Sequence, residues 1–183
     1  AFTRAADICE EILGQQEDYT PALEQLVEIA EKTRHATQSV AYLWRLSQIH
    51  ARADRREGEQ GVLDQILDKD PVNVQAWYRQ LELLMHWATP RALEDAIGRL
   101  IDRMRHGGAL ADAIQILEDL SQSPNVKPEV YGGLARLYRL QGDEANMKAV
   151  LRTRAEMLGK LLRDNEALAV WNELADLQPE DLA

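Results

Sequence analysis

Residues Val130 to Asp143 read VYGGLARLYRLQGD. Either this is a glycine-rich loop that cradles a ligand, or it is a helix with two glycines inside it. The adjacent pair Leu134-Ala135 lies three and four residues after Tyr131 and four and three before Tyr138, which puts all four on one helix face. Gly142-Asp143 then supplies a turn. A phosphate-binding loop would need G-x-G-x-x-G after a strand, and neither is present. Gly132-Gly133 reads instead as a place where an adjoining helix or a bound peptide comes near the backbone, at a helix-propensity cost of about 1 kcal/mol each.

Outward from this stretch the pattern is the same. Ala, Leu, Glu, Gln and Arg dominate, Phe occurs once, and 45% of the 183 residues are hydrophobic. Apolar residues recur at three- and four-residue steps nearly everywhere, broken by short polar or Gly/Pro punctuation. Ten helices are expected, at 3–13, 20–34, 38–54, 57–69, 73–87, 91–105, 109–122, 128–141, 143–162 and 164–177. No window alternates with period two, so no strand is expected. Links this short force antiparallel neighbours, and none is a domain linker, so residues 1–183 are expected to form one domain.

Composition excludes several functions. The formal net charge of −10 and pI near 4.9 weigh against nucleic-acid or anionic-membrane binding, which needs clustered Lys and Arg. Cys9 is the single cysteine, which excludes an internal disulfide and a cysteine-cluster zinc site. It reads as a small half-buried residue. No apolar run approaches the ~20 residues that span a bilayer. The opening AFTRAADICEE has no basic segment followed by an apolar run, so no secretory signal is expected within it. A start without Met suits a fragment or a processed form, and a cytoplasmic setting is expected over a periplasmic one.

The segments repeat. Several helices carry a residue, an apolar one four later and another three after that: Ala22–Leu26–Ile29, Leu93–Ile97–Leu100, Ala113–Leu117–Leu120 and Ala167–Trp171–Leu174, with Leu63–Ile66 as a partial copy. These read as second helices of pairs. Pro71 and Pro179 follow two of them at equal distance, where proline stops a helix. The segments that start at 40 and 74 lie 34 residues apart. The helices carrying Leu43–Leu46–Ser47, Trp77–Leu81–Leu84 and Tyr131–Leu134–Ala135–Tyr138 read as first helices.

On these residues the chain resembles the tetratricopeptide repeat (TPR), a 34-residue pair of antiparallel helices. Tyr131, Leu134, Ala135, Tyr138 and Gly142 fill its aromatic, Leu, small, Tyr and Gly places. Trp77 keeps the aromatic place of an earlier unit, and Ala167, Trp171 and Pro179 keep those of the last second helix. The resemblance implies an all-α, right-handed α-solenoid of about five antiparallel helix pairs, ten helices in all. It further implies first helices lining a concave groove and acidic second helices forming the back. The usual groove-facing places then fall on Trp44, Arg45, Gln48 and Arg52; on Gln75, Tyr78, Arg79, Glu82 and His86; and on Gly132, Arg136 and Arg139. Lysine is absent from the place where some relatives clamp a peptide C-terminus, so chaperone-tail binding is not implied.

Arginine suits a groove because its planar fork pairs two carboxylate oxygens at once. The competing reading is that these are ordinary surface arginines paired with acids on neighbouring helices. Nothing points to catalysis. His35, His50, His86 and His106 sit in no metal motif, adjacent acids such as Glu10-Glu11 point in different directions, and no Ser or Thr has a nucleophile-elbow setting. The expectation is a non-enzymatic scaffold or adaptor, without cofactor, metal, nucleic acid or membrane insertion. It would hold a protein or peptide segment, acidic in character, in its groove. The alternative is a self-association or assembly module that forms a homo-oligomer through its end repeats.

Overall fold

The computed structural model describes residues 2–177, and Pro179 lies outside them. Ten helices are present: α1 (Phe2–Gln15), α2 (Thr20–Lys32), α3 (Ala36–Arg52), α4 (Arg56–Lys69), α5 (Val74–Trp87), α6 (Pro90–His106), α7 (Leu110–Ser121), α8 (Pro128–Gln141), α9 (Glu144–Lys160) and α10 (Asp164–Asp176). The described residues contain no strand. The fold is all-α, as the periodicity requires. The chain divides into two compact units, residues 1–83 and 84–183, with the boundary inside α5.

Five connections share one turn. Arg34, Asp54, Gly108, Gly142 and Leu162 have φ of 62°, 50°, 71°, 74° and 58°, the left-handed region. Each donates its N–H to the carbonyl three residues back. The next residue donates to the carbonyl five back: His35 to Ala30, Arg55 to His50, Ala109 to Met104, Asp143 to Tyr138 and Arg163 to Leu158, at 2.8–3.0 Å. This double closure satisfies carbonyls that a helix end otherwise leaves open. The same five donors, His35, Arg55, Ala109, Asp143 and Arg163, are the N-caps of the following helices. One helix therefore ends where the next begins, and the two fold back on each other.

In the unit of residues 1–83, α1 to α4 pack in chain order around Leu13, Leu23, Leu26, Leu43, Leu46, Leu63, Ile66 and Leu67. The N-terminal part of α5 adds Ala76, Trp77, Gln80 and Leu81, all buried. Trp77 Nε1 donates to the Pro71 carbonyl at 2.9 Å, which anchors the entry to α5.

In the unit of residues 84–183, α8 is the centre. It packs on α6, α7 and α9, and α9 packs on α10. The tyrosines of the opening stretch both reach back to α7: Tyr138 Oη donates to Glu118 at 2.6 Å and Tyr131 Oη to the Ser121 carbonyl at 3.4 Å. Burial, then the Glu118 carboxylate, push the Tyr138 hydroxyl up to about 12. Gly133 lies where a Cβ would fall 2.5 Å from Ile97 Cγ2 and 2.7 Å from Leu117 Cδ1. Its missing side chain lets α8 seat against both α6 and α7.

Two sequence expectations are corrected here. The three-residue skeleton groups α6, α7 and α10 as second helices and α8 as a first. The structure instead aligns α6 with α8, which pack directly across α7, and α8 with α10, through ion pairs Arg139–Glu173 and Glu129–Arg163, each 34 residues apart. The skeleton is what any buried helix face looks like, so it does not tell one layer from the other. Trp171, expected on the buried face between Ala167 and Leu174, is 41% exposed.

Gly133→Ala should destabilise the fold by roughly 1–3 kcal/mol, because overpacking outweighs the better helix propensity of alanine. Leu162→Gly should stabilise it by about 0.5–1 kcal/mol, since the left-handed turn strains an L side chain and Leu162, 85% exposed, packs on nothing. Urea midpoints at constant m-value check both, and a neutral Gly133→Ala would contradict the close seating of α8.

Candidate functional site

Each unit carries its own cleft. In the first, Trp44, Ser47, Gln48, Ala51 and Arg52 form a stripe at helical spacing along α3, and Gln75, Tyr78, Arg79 and Glu82 form another along α5. With Glu59 of α4 they enclose a cavity of about 510 Å³. Seven of the twelve residues expected to face a groove line it: Trp44, Gln48, Arg52, Gln75, Tyr78, Arg79 and Glu82. Trp44 and Tyr78 stand 34 positions apart in sequence, as do Gln48 and Glu82, so the repeat spacing itself brings them to equivalent places.

The arginines of this cleft are already engaged. Arg79 donates through Nε and Nη2 to the two carboxylate oxygens of Glu59 (2.6 and 3.3 Å) and through Nη1 to Glu82 (2.8 Å). The Glu59 side chain is only 3% exposed. The bond to Glu59 comes first in holding the Arg79 guanidinium above its ordinary pKa. Arg52 pairs with Asp18 at 3.2 and 3.3 Å in a solvent-exposed position. Arg45, outside the cavity lining, donates to the Glu17 carbonyl at 3.4 Å. The walls therefore consist of aromatic and alkyl surface, rimmed by amides and by charges that neutralise one another.

The second cleft lies between α6, α8, α9 and α10. Glu129, Gly132, Gly133 and Arg136 follow one face of α8, with Arg139 a turn further on. Glu94 and Ile97 of α6, Leu151 and Arg154 of α9 and Glu173 of α10 complete a small polar cavity of about 170 Å³. Gly132, Arg136 and Arg139 were expected in a groove and all line it. Gly132 was expected to leave bare backbone, but the Arg154 guanidinium lies over it, with Cζ 3.0 Å from where a Cβ would stand. Arg139 is paired with Glu173. Arg136 has no acidic partner among the described residues, and its Nη1 lies 3.6 Å from the Cβ position of Gly98. Arg163 donates to Glu129 and Glu166; the Glu166 bond comes first in raising its pKa, and Arg163 in turn lowers that of Glu166. His86 is exposed at the end of α5 and lines neither cleft.

Sequence reasoning missed Glu59, Glu129, Arg154 and Glu173. A 34-residue search for opposite charges would have found two of the pairings, Arg163 with Glu129 and Arg139 with Glu173. Nothing in the pattern marks Arg154, because α9 has no recognisable repeat skeleton. Among the described residues, no group of three or more His, Cys, Asp or Glu is placed to hold a metal, and no helix is long and apolar enough to cross a membrane.

The turns, the 34-residue pairings and the clefts define a protein of stacked antiparallel helix pairs. No protein-family model and no curated protein matches the chain. Solved structures do. MamA residues 41 to end from Desulfovibrio magneticus RS-1 is 15% identical, with TM-score 0.37 over 91% of this chain and 96% of that one. A tetratricopeptide repeat protein from Parabacteroides merdae is 11% identical, with TM-score 0.29 over 96% and 86%. PilW, a type IV pilus biogenesis factor, is 14% identical, with TM-score 0.34 over 98% and 93%. The chain is similar to these helical-repeat structures, while the helix-pair fold rests on its own turns and spacings.

Arg79→Met should cost about 3 kcal/mol or more, because it strands the buried Glu59 carboxylate, whereas Arg52→Met should stay within roughly 1 kcal/mol, its partner being exposed. Pairing Arg79→Met with Glu59→Gln should recover much of the loss. Equal stability of the Arg79 and Arg52 single variants in chemical denaturation would contradict this ranking.

Proposed function

We propose that the protein is a non-catalytic interaction module whose α3–α5 cleft holds a segment of a partner protein. The observation that supports this most is the pair Trp44 and Tyr78, set at equivalent repeat positions in the wall of a 510 Å³ cavity. Rigid aromatic surface gives contact at low entropy cost, and amides such as Gln48 and Gln75 at the rim supply adaptable hydrogen bonds. Because Arg79 and Arg52 already have acidic partners, the favoured segment is one with an apolar anchor side chain flanked by polar residues. Reading of acidic partner groups falls to Arg136, which makes no ion pair among the described residues although Glu94, Glu129 and Glu173 line the same cavity.

Self-association is the second reading, and a different observation favours it. Leu168 and Trp171, three residues apart on α10, are 60% and 41% exposed, and Leu161 and Leu162 in the preceding turn are exposed as well. A Leu168→Glu/Trp171→Glu variant should be monomeric wherever the parent chain associates. A parent that stays monomeric across a concentration series in sedimentation would remove this reading.

For the leading reading, peptides selected from a random display library against the chain should lose roughly tenfold or more in affinity with Trp44→Ala or Tyr78→Ala. Arg52→Met should change it less than about threefold, and circular dichroism should stay unchanged. Peptides indifferent to both aromatic substitutions would refute the cleft as the binding surface.

A further inference from the structure

The charged and the neutral polar groups of the α3–α5 cleft are in different states. Its charges are engaged: Arg79 holds Glu59 and Glu82, and Arg52 holds Asp18. Its neutral donors are free. The side chains of Trp44, Gln48, Gln75 and Tyr78 form no hydrogen bond among the described residues. Trp44 and Tyr78 are half-buried, but Trp44 Nε1 and Tyr78 Oη keep accessible surface, so water or a guest reaches both atoms. Gln48 and Gln75 are exposed. An indole N–H donates and never accepts, so whatever satisfies Trp44 must bring an acceptor.

We propose that the partner segment held in this cleft is proline-rich and in the polyproline II conformation. Its rings pack on the faces of Trp44 and Tyr78. Its carbonyls have no partners of their own, because this helix has no internal hydrogen bonds, and they accept from the indole, the phenol and the two amides. Proline brings no N–H. It therefore strands no donor in a cleft whose carboxylates, Glu59 and Glu82, are already taken by Arg79. An α-helical segment would arrive with most of its carbonyls satisfied within itself and offer the indole nothing. An acidic or basic segment would have to compete with ion pairs already made. The formal charges of the lining, Arg52 and Arg79 against Glu59 and Glu82, also cancel, which suits an uncharged guest. The volume of about 510 Å³ falls within the range of about 300–1,000 Å³ that holds a drug-sized guest, so several rings enter together. Because the polyproline II helix is preformed, little entropy is lost when it docks on aromatic surface. The proposal rests on the reading of the α3–α5 cleft as the partner-binding surface.

The test is an NMR titration of the full 183-residue chain. The probes are end-blocked octaproline and an end-blocked octapeptide of alternating Gly and Ser, which has the carbonyls but neither the rings nor the fixed conformation. The resonance followed is the Trp44 indole N–H, identified among the four tryptophans by its absence in Trp44→Phe. Octaproline should shift it saturably and bind roughly tenfold or more tighter than the Gly-Ser probe. Trp44→Phe and Tyr78→Phe keep ring surface and remove one donor each. Each should weaken octaproline by about threefold to tenfold, read through the side-chain amides of Gln48 and Gln75, with circular dichroism unchanged. Affinity should change by less than about twofold between roughly 50 and 500 mM salt, since the lining charges are already paired. Absence of a saturable shift, equal binding of the two probes or a steep salt dependence would overturn the proposal, as would full binding by both Phe variants. If octaproline fails while the display-selected peptides still need Trp44 and Tyr78, the proline assignment alone falls. If those peptides are indifferent to both rings, the cleft falls with it.

Discussion

The hydrogen bond from each N-cap residue to the carbonyl five positions earlier is the constraint on which the rest depends. At Arg34, Asp54, Gly108, Gly142 and Leu162 a single left-handed residue ends one helix, and its successor starts the next. The closure needs no particular side chain, but it fixes the distance and direction of the return helix. Only two of the five turn residues are glycine, so elsewhere packing overcomes a local preference that opposes the turn by about 1–2 kcal/mol. Once the returns are fixed, positions 34 residues apart fall on neighbouring equivalent surfaces. Arg52 then meets Asp18, Glu129 meets Arg163, and Arg139 meets Glu173.

That spacing also governs the charges. An arginine on a repeat surface has the next repeat within reach, and acids occur there often in a chain with 31 Asp and Glu against 21 Lys and Arg. Arg52 and Arg139 are held this way, while Arg79 is held by Glu59, 20 positions earlier, and by Glu82, three positions later. Their contributions differ by burial. Arg52–Asp18 is solvent-exposed and worth little, while Arg79 neutralises a carboxylate almost cut off from water. The same chemistry is therefore dispensable at one place and structural at another.

Helix positions were legible because apolar periodicity is a local signal: all ten helices fall within a few residues of their expected ends. Gly142-Asp143 marked its turn for the same reason. Arg34, Asp54 and Leu162 did not, since nothing in their chemistry announces a left-handed conformation. The layer to which each helix belongs was not legible either. Burying an Ala–Leu–Leu face is needed in both layers, so α6 and α10 look alike whichever side they occupy. Trp44, Gln48, Tyr78 and Glu82 were found because the 34-residue spacing carries them to one cleft. Arg154 escaped because its place over Gly132 depends on three-dimensional packing of α9 over α8.

The side chains that line a cleft decide its character. Trp44 and Tyr78 stand 34 positions apart, and the sequence pattern was expected to give Gly132 the corresponding place on α8. Trp44 and Tyr78 supply ring surface, and their cleft is wide and largely apolar. Gly132 supplies nothing, and a guanidinium from α9 occupies the space that a side chain would have taken. Removing the side chain does not widen the cleft; it replaces an apolar wall with a polar one and leaves a smaller, charge-balanced cavity. Gly132 and Gly133 therefore have opposite roles despite being neighbours. Gly133 points into the core, where it allows two helices to approach, and Gly132 points along the cleft, where it admits an arginine. Their cost in helix propensity is met once by packing and once by the chemistry of the cleft.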